Sequence, residues 1–316
     1  MNRTLLSYLW KLPLCGIAFF IGLAISGIAL PALGFPTPEM PAGTDSNTIA
    51  LHFLLGSMIL SLALSFVSFN LRVGWFLRWV ILFELTWVFG VVGMVIESFF
   101  FMTTGAASSI LNAFFTVLSF LLPGLFVSVV IAILFRPPQT ESFLHGLNTF
   151  FSSRNISQWL WRFASALLAY PLIYFTFGLI VQPFIRDFYA QGMYELTTPT
   201  WGQLIPLQLT RSFLFLLVSL PVVIWWNGSR RGMWLTLGSS IFALTAFMAV
   251  ITAYWFPLQM RLFHGLELLA DGLIYAGSLV MLLGRKQTEG QKEAENVRRE
   301  IFANRIRNLQ NDPRVR

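Results

Sequence analysis

The chain has 316 residues, 56% of them hydrophobic and only 11% charged, with a net charge of +7. Soluble domains carry about 25% charged residues, so this chain could not cover its surface with polar groups in water. A soluble globule, a disordered chain and a collagen are excluded, and a lone cysteine, Cys15, excludes a disulfide scaffold.

Apolar runs of about 20 residues, the length a helix needs to cross the hydrocarbon layer, recur eight times. They are Leu12–Leu33, Ala50–Leu71, Trp79–Met102, Ile110–Phe135, Trp159–Phe184, Leu204–Trp226, Met233–Phe256 and Leu262–Gly284. The runs are continuous rather than alternating, which favours helices over barrel strands. The expected fold is an all-α polytopic integral membrane protein with eight transmembrane helices. The first run exceeds a signal-peptide core and contains Pro31, so it reads as an uncleaved anchor. Between the fourth and fifth runs, Phe143, Leu144, Leu147, Phe150 and Phe151 recur at helical spacing among polar residues. That pattern predicts a short amphipathic helix near residues 140–153, lying in the membrane interface. After the transmembrane domain, residues 1–284, comes a charged tail, residues 285–316, with nine basic and five acidic side chains. Val297, Ile301, Phe302 and Leu309 fall on one side of a helix there, able to rest on anionic lipid or to dock a partner.

Loop charge sets the expected orientation. Arg3 and Lys11 precede the first run, and Arg72, Arg78, Arg136, Arg154, Arg230, Arg231 and the tail follow even-numbered runs. The alternate connections hold only Arg186 and Arg261. Both termini are therefore expected in the cytoplasm, with the protein in the cell's inner membrane. The positive charge reflects topology and not nucleic-acid binding; the lipid bilayer is the first partner, and another membrane subunit or a cytoplasmic protein at the tail is a second. Eight runs are also compatible with a parallel repeat of four plus four, with Arg72 lying 20 residues after His52 and Arg231 lying 20 after Arg211.

Ionisable residues at membrane depth are costly and point to function by default. In the eighth run Arg261, His264, Glu267, Asp271 and Tyr275 follow the rhythm of one helical face. Asp271 lies about 15 Å beyond Arg261, near the midplane. His52, Glu97, Gln208 and Arg211 join them in the extracytoplasmic half. Three readings compete for this set. It can be interhelical pairing, with Arg211 to Asp271 or Glu267 and Arg261 to Glu97. It can be a polar substrate cavity built on Arg211, Gln208, Arg261, Asp271 and Tyr275. It can be a centre for a divalent metal such as zinc, with His52, Glu97, His264 and Glu267 as ligands. Only His52 and His264 lie in spans, which argues against haem. No nucleotide loop or hydrolase motif is present. The leading reading is a permease-like or substrate-binding membrane component. A metal-dependent membrane enzyme acting on a lipid-like substrate is the alternative, and a non-catalytic subunit docking a partner is the third.

Overall fold

The computed structural model describes residues 3–35, 44–102, 109–193 and 196–285. Among them eight helices are long and apolar enough to cross a membrane: Leu6–Ala32, Ser46–Asn70, Trp75–Phe101, Ile110–Leu134, Ile156–Ala190, Trp201–Trp225, Arg230–Thr252 and Leu258–Leu283, here spans one to eight. The end at which span one begins is the near side, the opposite end the far side. Most spans start before their apolar runs do, and five of them carry polar N-caps. Asp45, Ser109, Asn155 and Ser229 each accept a hydrogen bond from a backbone N–H three residues on. Thr200 and Gln203 form a capping box. Such caps satisfy the orphan donors of a first turn, and hydropathy does not register them.

Close backbone approach sets the packing. Span one lies on span four, where a Cβ at Gly22 would sit 2.5 Å from the Pro123 nitrogen. Span four is broken at Phe120, just ahead of Pro123, into Ile110–Ser119 and Leu121–Leu134. A proline there has no N–H to return to the preceding turn. Span seven meets span eight through Gly238 and Gly272, whose added Cβ atoms would each come within 3.2 Å of the other's carbonyl oxygen. Span six is the central helix: 61% of its apolar window is buried, against 28% for span one.

Spans three and seven each run 13 residues as α-helix and then widen into a five-residue π turn, at Val88–Val92 and Ala243–Phe247. Spans two and six are both 25 residues long. All these features are separated by 155 positions (46 to 201, 75 to 230, 88 to 243). The turns that follow spans two and six pair with each other. Arg72 N–H donates to the Trp225 carbonyl at 3.0 Å, and Asn227 N–H donates to the Asn70 carbonyl at 2.8 Å. In this register Arg72 corresponds to Asn227, which replaces the match of Arg72 with Arg231 expected from the sequence.

Basic residues on the near side serve helix ends. Spans four and eight carry no cation in their last turns, yet their terminal carbonyls bear the negative end of the helix dipole. Neighbours supply the charge. Lys11 donates to Leu134 at 3.0 Å and the buried Arg78 to Ala132 at 2.7 Å. At span eight, Arg230 donates to Val280 at 2.7 Å, Arg154 to Gly284 at 2.8 Å, and Arg162 to Leu282. The short helix between spans four and five forms at Phe143–Phe151. Phe150 is buried, Phe143 stacks on Trp225 with centroids 5.0 Å apart, and Leu144 is exposed. Of the charged tail expected at 285–316, all but Arg285 lies outside the described residues.

Candidate functional site

A cavity of about 530 Å³ opens among the far halves of spans three, five, six, seven and eight. Phe89, Phe101, Phe175 and Trp201 supply much of its apolar wall, and Glu97, Arg186, Arg211, Arg261, His264 and Glu267 its charges.

Arg211 is the centre of the polar wall. It lies ten residues into span six, about 15 Å from the start of the helix, and its side chain is 3% exposed. Nη1 pairs with the Glu97 carboxylate at 2.9 Å and donates to Gln208 Oε1 at 3.2 Å, one turn back on the same face. The Tyr174 hydroxyl donates to the same Glu97 oxygen at 3.1 Å. Aromatic rings surround the guanidinium, with the centroids of Tyr170, Tyr174 and Phe215 5.4–5.8 Å from its carbon. These contacts add cation–π attraction to the ion pair. Span three reaches this position because Gly93 has no side chain: a Cβ there would be 2.9 Å from the Phe215 ring, one turn beyond Arg211.

The pairing expected from the sequence is thereby corrected. Arg211 pairs with Glu97 and not with Asp271 or Glu267, and Arg261 donates to the Val250 carbonyl at 3.2 Å instead of meeting Glu97. The reason is helix adjacency, since span three packs on span six where the sequence could supply only depth.

Span eight provides a polar stripe that descends from the cavity. His264 Nδ1 lies 3.0 Å from Glu267 Oε2; Glu267 is buried, while the His264 side chain is 41% exposed. Span five comes close on the opposite side, where a Cβ at Gly178 would sit 3.3 Å from Glu267 Oε1. Asp271 follows a turn deeper, 2% exposed, and neither of its carboxylate oxygens has a hydrogen-bond partner among the described residues. Gln208 Nε2 is in the same condition. Tyr275 is fully buried beneath them, its ring 5.3 Å from that of Tyr170. Of the expected cavity set, Arg211 and Arg261 line the space. Gln208, Asp271 and Tyr275 are buried side chains outside its lining.

The expected metal set does not assemble. His52 stands away from the cavity, edge-on to Tyr254 at 5.4 Å. Glu97 is engaged by Arg211 and Tyr174, and His264 by Glu267. Among the described residues no three of His, Cys, Asp and Glu form a group that could hold a metal ion. The arrangement does not fit zinc, which takes four donors at about 2.0–2.3 Å.

Tyr170 and Tyr174, which contact the Arg211–Glu97 pair, are not singled out by the sequence reading. Against Phe 32, the chain has only Tyr 7, and two tyrosines four residues apart in one apolar span share a helical face. A hydroxyl repeated on one face at membrane depth needs a partner, and that was the available signal.

Fold and site together define a polytopic helical membrane protein with charged pairs around a far-side cavity. No family model, curated protein or solved structure matches the chain.

Proposed function

We propose that the protein is a permease-like, substrate-binding membrane component that takes a small amphipathic molecule from the extracytoplasmic side. Both termini then lie in the cytoplasm and the chain resides in the cell's inner membrane, as the distribution of lysine and arginine favours. The observation that carries the reading is the Arg211–Glu97 pair on the wall of a cavity at membrane depth. A pair serving packing alone would be closed on all sides. Here the Glu97 side chain keeps 20% exposure and that of His264 keeps 41%. Intramembrane charges that face a cavity mark substrate paths, and 530 Å³ lies within the usual range of small-molecule sites, about 300–1,000 Å³. Phe89, Phe101, Phe175 and Trp201 would receive the apolar body of the ligand, while Glu97, Arg261 and His264 would meet its polar end.

Thiol labelling in membranes tests this, with Cys15→Ala as the background. A cysteine at Thr245, on the cavity wall, is expected to react with a small water-soluble thiosulfonate added outside. One at Leu266, 59% exposed but outside the cavity lining, is expected not to, because lipid suppresses the thiolate. Octylamine or octanoate, as probes with opposite head charge, should slow labelling at Thr245 unequally, and Arg211→Gln should abolish the difference. An unreactive Thr245 cysteine would mean that water does not enter. Reactivity indifferent to both amphiphiles would leave the charges with structural pairing alone.

A further inference from the structure

Three arginines converge on the near-side end of span eight and carry charge that no carboxylate among the described residues neutralises. Arg230 donates to Val280 and Met281, Arg162 to Leu282, and Arg154 to Leu283 and Gly284, so the three wrap successive carbonyls of a single turn. A Cβ at Gly284 would lie 3.5 Å from Arg230 Nε. A helix C-terminus presents about −0.5 of an elementary charge, against three full positive charges. Among the described residues no carboxylate forms an ion pair with any of them; Glu141, in the loop before the short helix, is taken by Arg285 at 3.7 Å. Burial, and then the charges of Arg162 and Arg230, push the Arg154 guanidinium below its ordinary range, as expected where like charges crowd.

The donors are held ready for an anion. A guanidinium carries five N–H groups. The carbonyls occupy Nη1 of Arg162 and Nη2 of Arg230, which leaves the other Nη of each without an acceptor among the described residues. Two tryptophans fix the orientations. Arg154 lies over Trp159 at 4.8 Å and Arg162 over Trp161 at 4.6 Å. Trp161 is 49% exposed and Trp234, on span seven, 39%. Exposed tryptophans at span ends sit at headgroup level, so the ligand nearest to this cluster in a bilayer is a phospholipid. Basic pockets between the ends of transmembrane helices bind such headgroups, and arginine forks match phosphate oxygens.

We infer that Arg154, Arg162 and Arg230 form a binding site for the phosphate of an anionic phospholipid, held against the ends of spans five, seven and eight. The inference does not depend on the cavity reading, since it concerns the opposite side of the bundle.

Thermal unfolding of the full chain in detergent, stripped of lipid and then given phosphatidylglycerol or phosphatidylcholine micelles, tests it. Phosphatidylglycerol is expected to raise the midpoint by about 5 °C more than phosphatidylcholine does. Arg154→Gln with Arg162→Gln should remove that preference, while Arg231→Gln, at an exposed basic residue on the same side, should keep it. The glutamines also remove carbonyl partners, so the readout is the difference between lipids within each variant. Arg162→Lys and Arg230→Lys, which keep charge but lose the fork, should at least halve it. Equal shifts from the two lipids in the unaltered protein would overturn the site, as would a preference undiminished in the double variant. The same shift from inorganic phosphate alone would overturn the assignment to lipid.

Discussion

Arg211 shows how a buried charge is made tolerable and how dependent it is on one partner. Its guanidinium is 3% exposed and the Glu97 side chain 20%, so the two ends of the pair are not equally protected by water. Breaking a buried ion pair from one side costs about 3–5 kcal/mol in soluble proteins. Glu97→Gln strands the more buried member and is expected near that figure. Arg211→Gln leaves a carboxylate that still accepts from Tyr174 and reaches the cavity, so a smaller loss of about 2–3 kcal/mol is expected. The double variant should recover much of the sum, measured as unfolding free energy in detergent. Asp271→Asn is expected to couple to Arg211 more weakly than Glu97→Gln does, because no hydrogen bond or ion pair joins the two. Stronger coupling between Asp271 and Arg211 would reverse the assignment of partners. That Arg211, His264, Glu267 and Glu97 need partners was legible from their depth alone. Which partner each takes was not, because that depends on which spans are neighbours, decided here by side-chain-free contacts such as Gly93 on Phe215.

At the scale of the element, the π turn in span three aims Glu97. A π turn holds one residue more than the α-helix would in the same length, and such turns are frequent at functional sites. Deleting Gly90 should restore α-helix through Val88–Val92. Because the π turn already absorbs that residue within the same length, the outer segment Gly93–Phe101 should keep its facing and Glu97 should stay on Arg211. An alanine inserted after Gly93 should instead rotate the residues beyond it by about 100°, the angle of one residue, carry Glu97 off Arg211 and lower stability at least as much as Glu97→Gln. Arg211→Gln added to the insertion should then cost far less than in the unaltered chain, since the pair is already broken. A full second loss, seen by thermal unfolding in detergent, would show that the helical register of this segment does not position the carboxylate. Hydropathy found this span as the single run Trp79–Met102 and contained no sign of the π turn, because one residue more or less per turn does not change an apolar average. The short helix Phe143–Phe151 was readable because its polar and apolar residues alternate with helical period.

Across the whole molecule, two spans and the turn between them recur at one offset, and the turns at residues 70–72 and 225–227 exchange equivalent hydrogen bonds. Two corresponding turns exchanging bonds in this way are what two parallel halves about an axis along the membrane normal would produce. The outer spans diverge: span five runs to 35 residues, while span four is broken at Phe120. Parallel halves would present the same face to the same side of the membrane, so the orientation of one half would fix the other. The basic residues carry a double meaning here. Lys11, Arg78, Arg154, Arg162 and Arg230 all bond helix-end carbonyls, a role that would place them at the near side whichever way the chain inserts. The cytoplasmic assignment therefore rests on the general bias of lysine and arginine toward that side, and it can be tested apart from the site. In the Cys15→Ala background, cysteines introduced at Asp45 and Thr198, both in far-side connections, are expected to react with an impermeant thiol reagent applied to intact cells. One at Ser229, in the near-side turn between spans six and seven, should react only after the cells are opened. The opposite pattern would turn the bundle over and place the Arg211–Glu97 cavity on the cytoplasmic face. Its geometry would stand, but its ligand would then have to come from inside the cell.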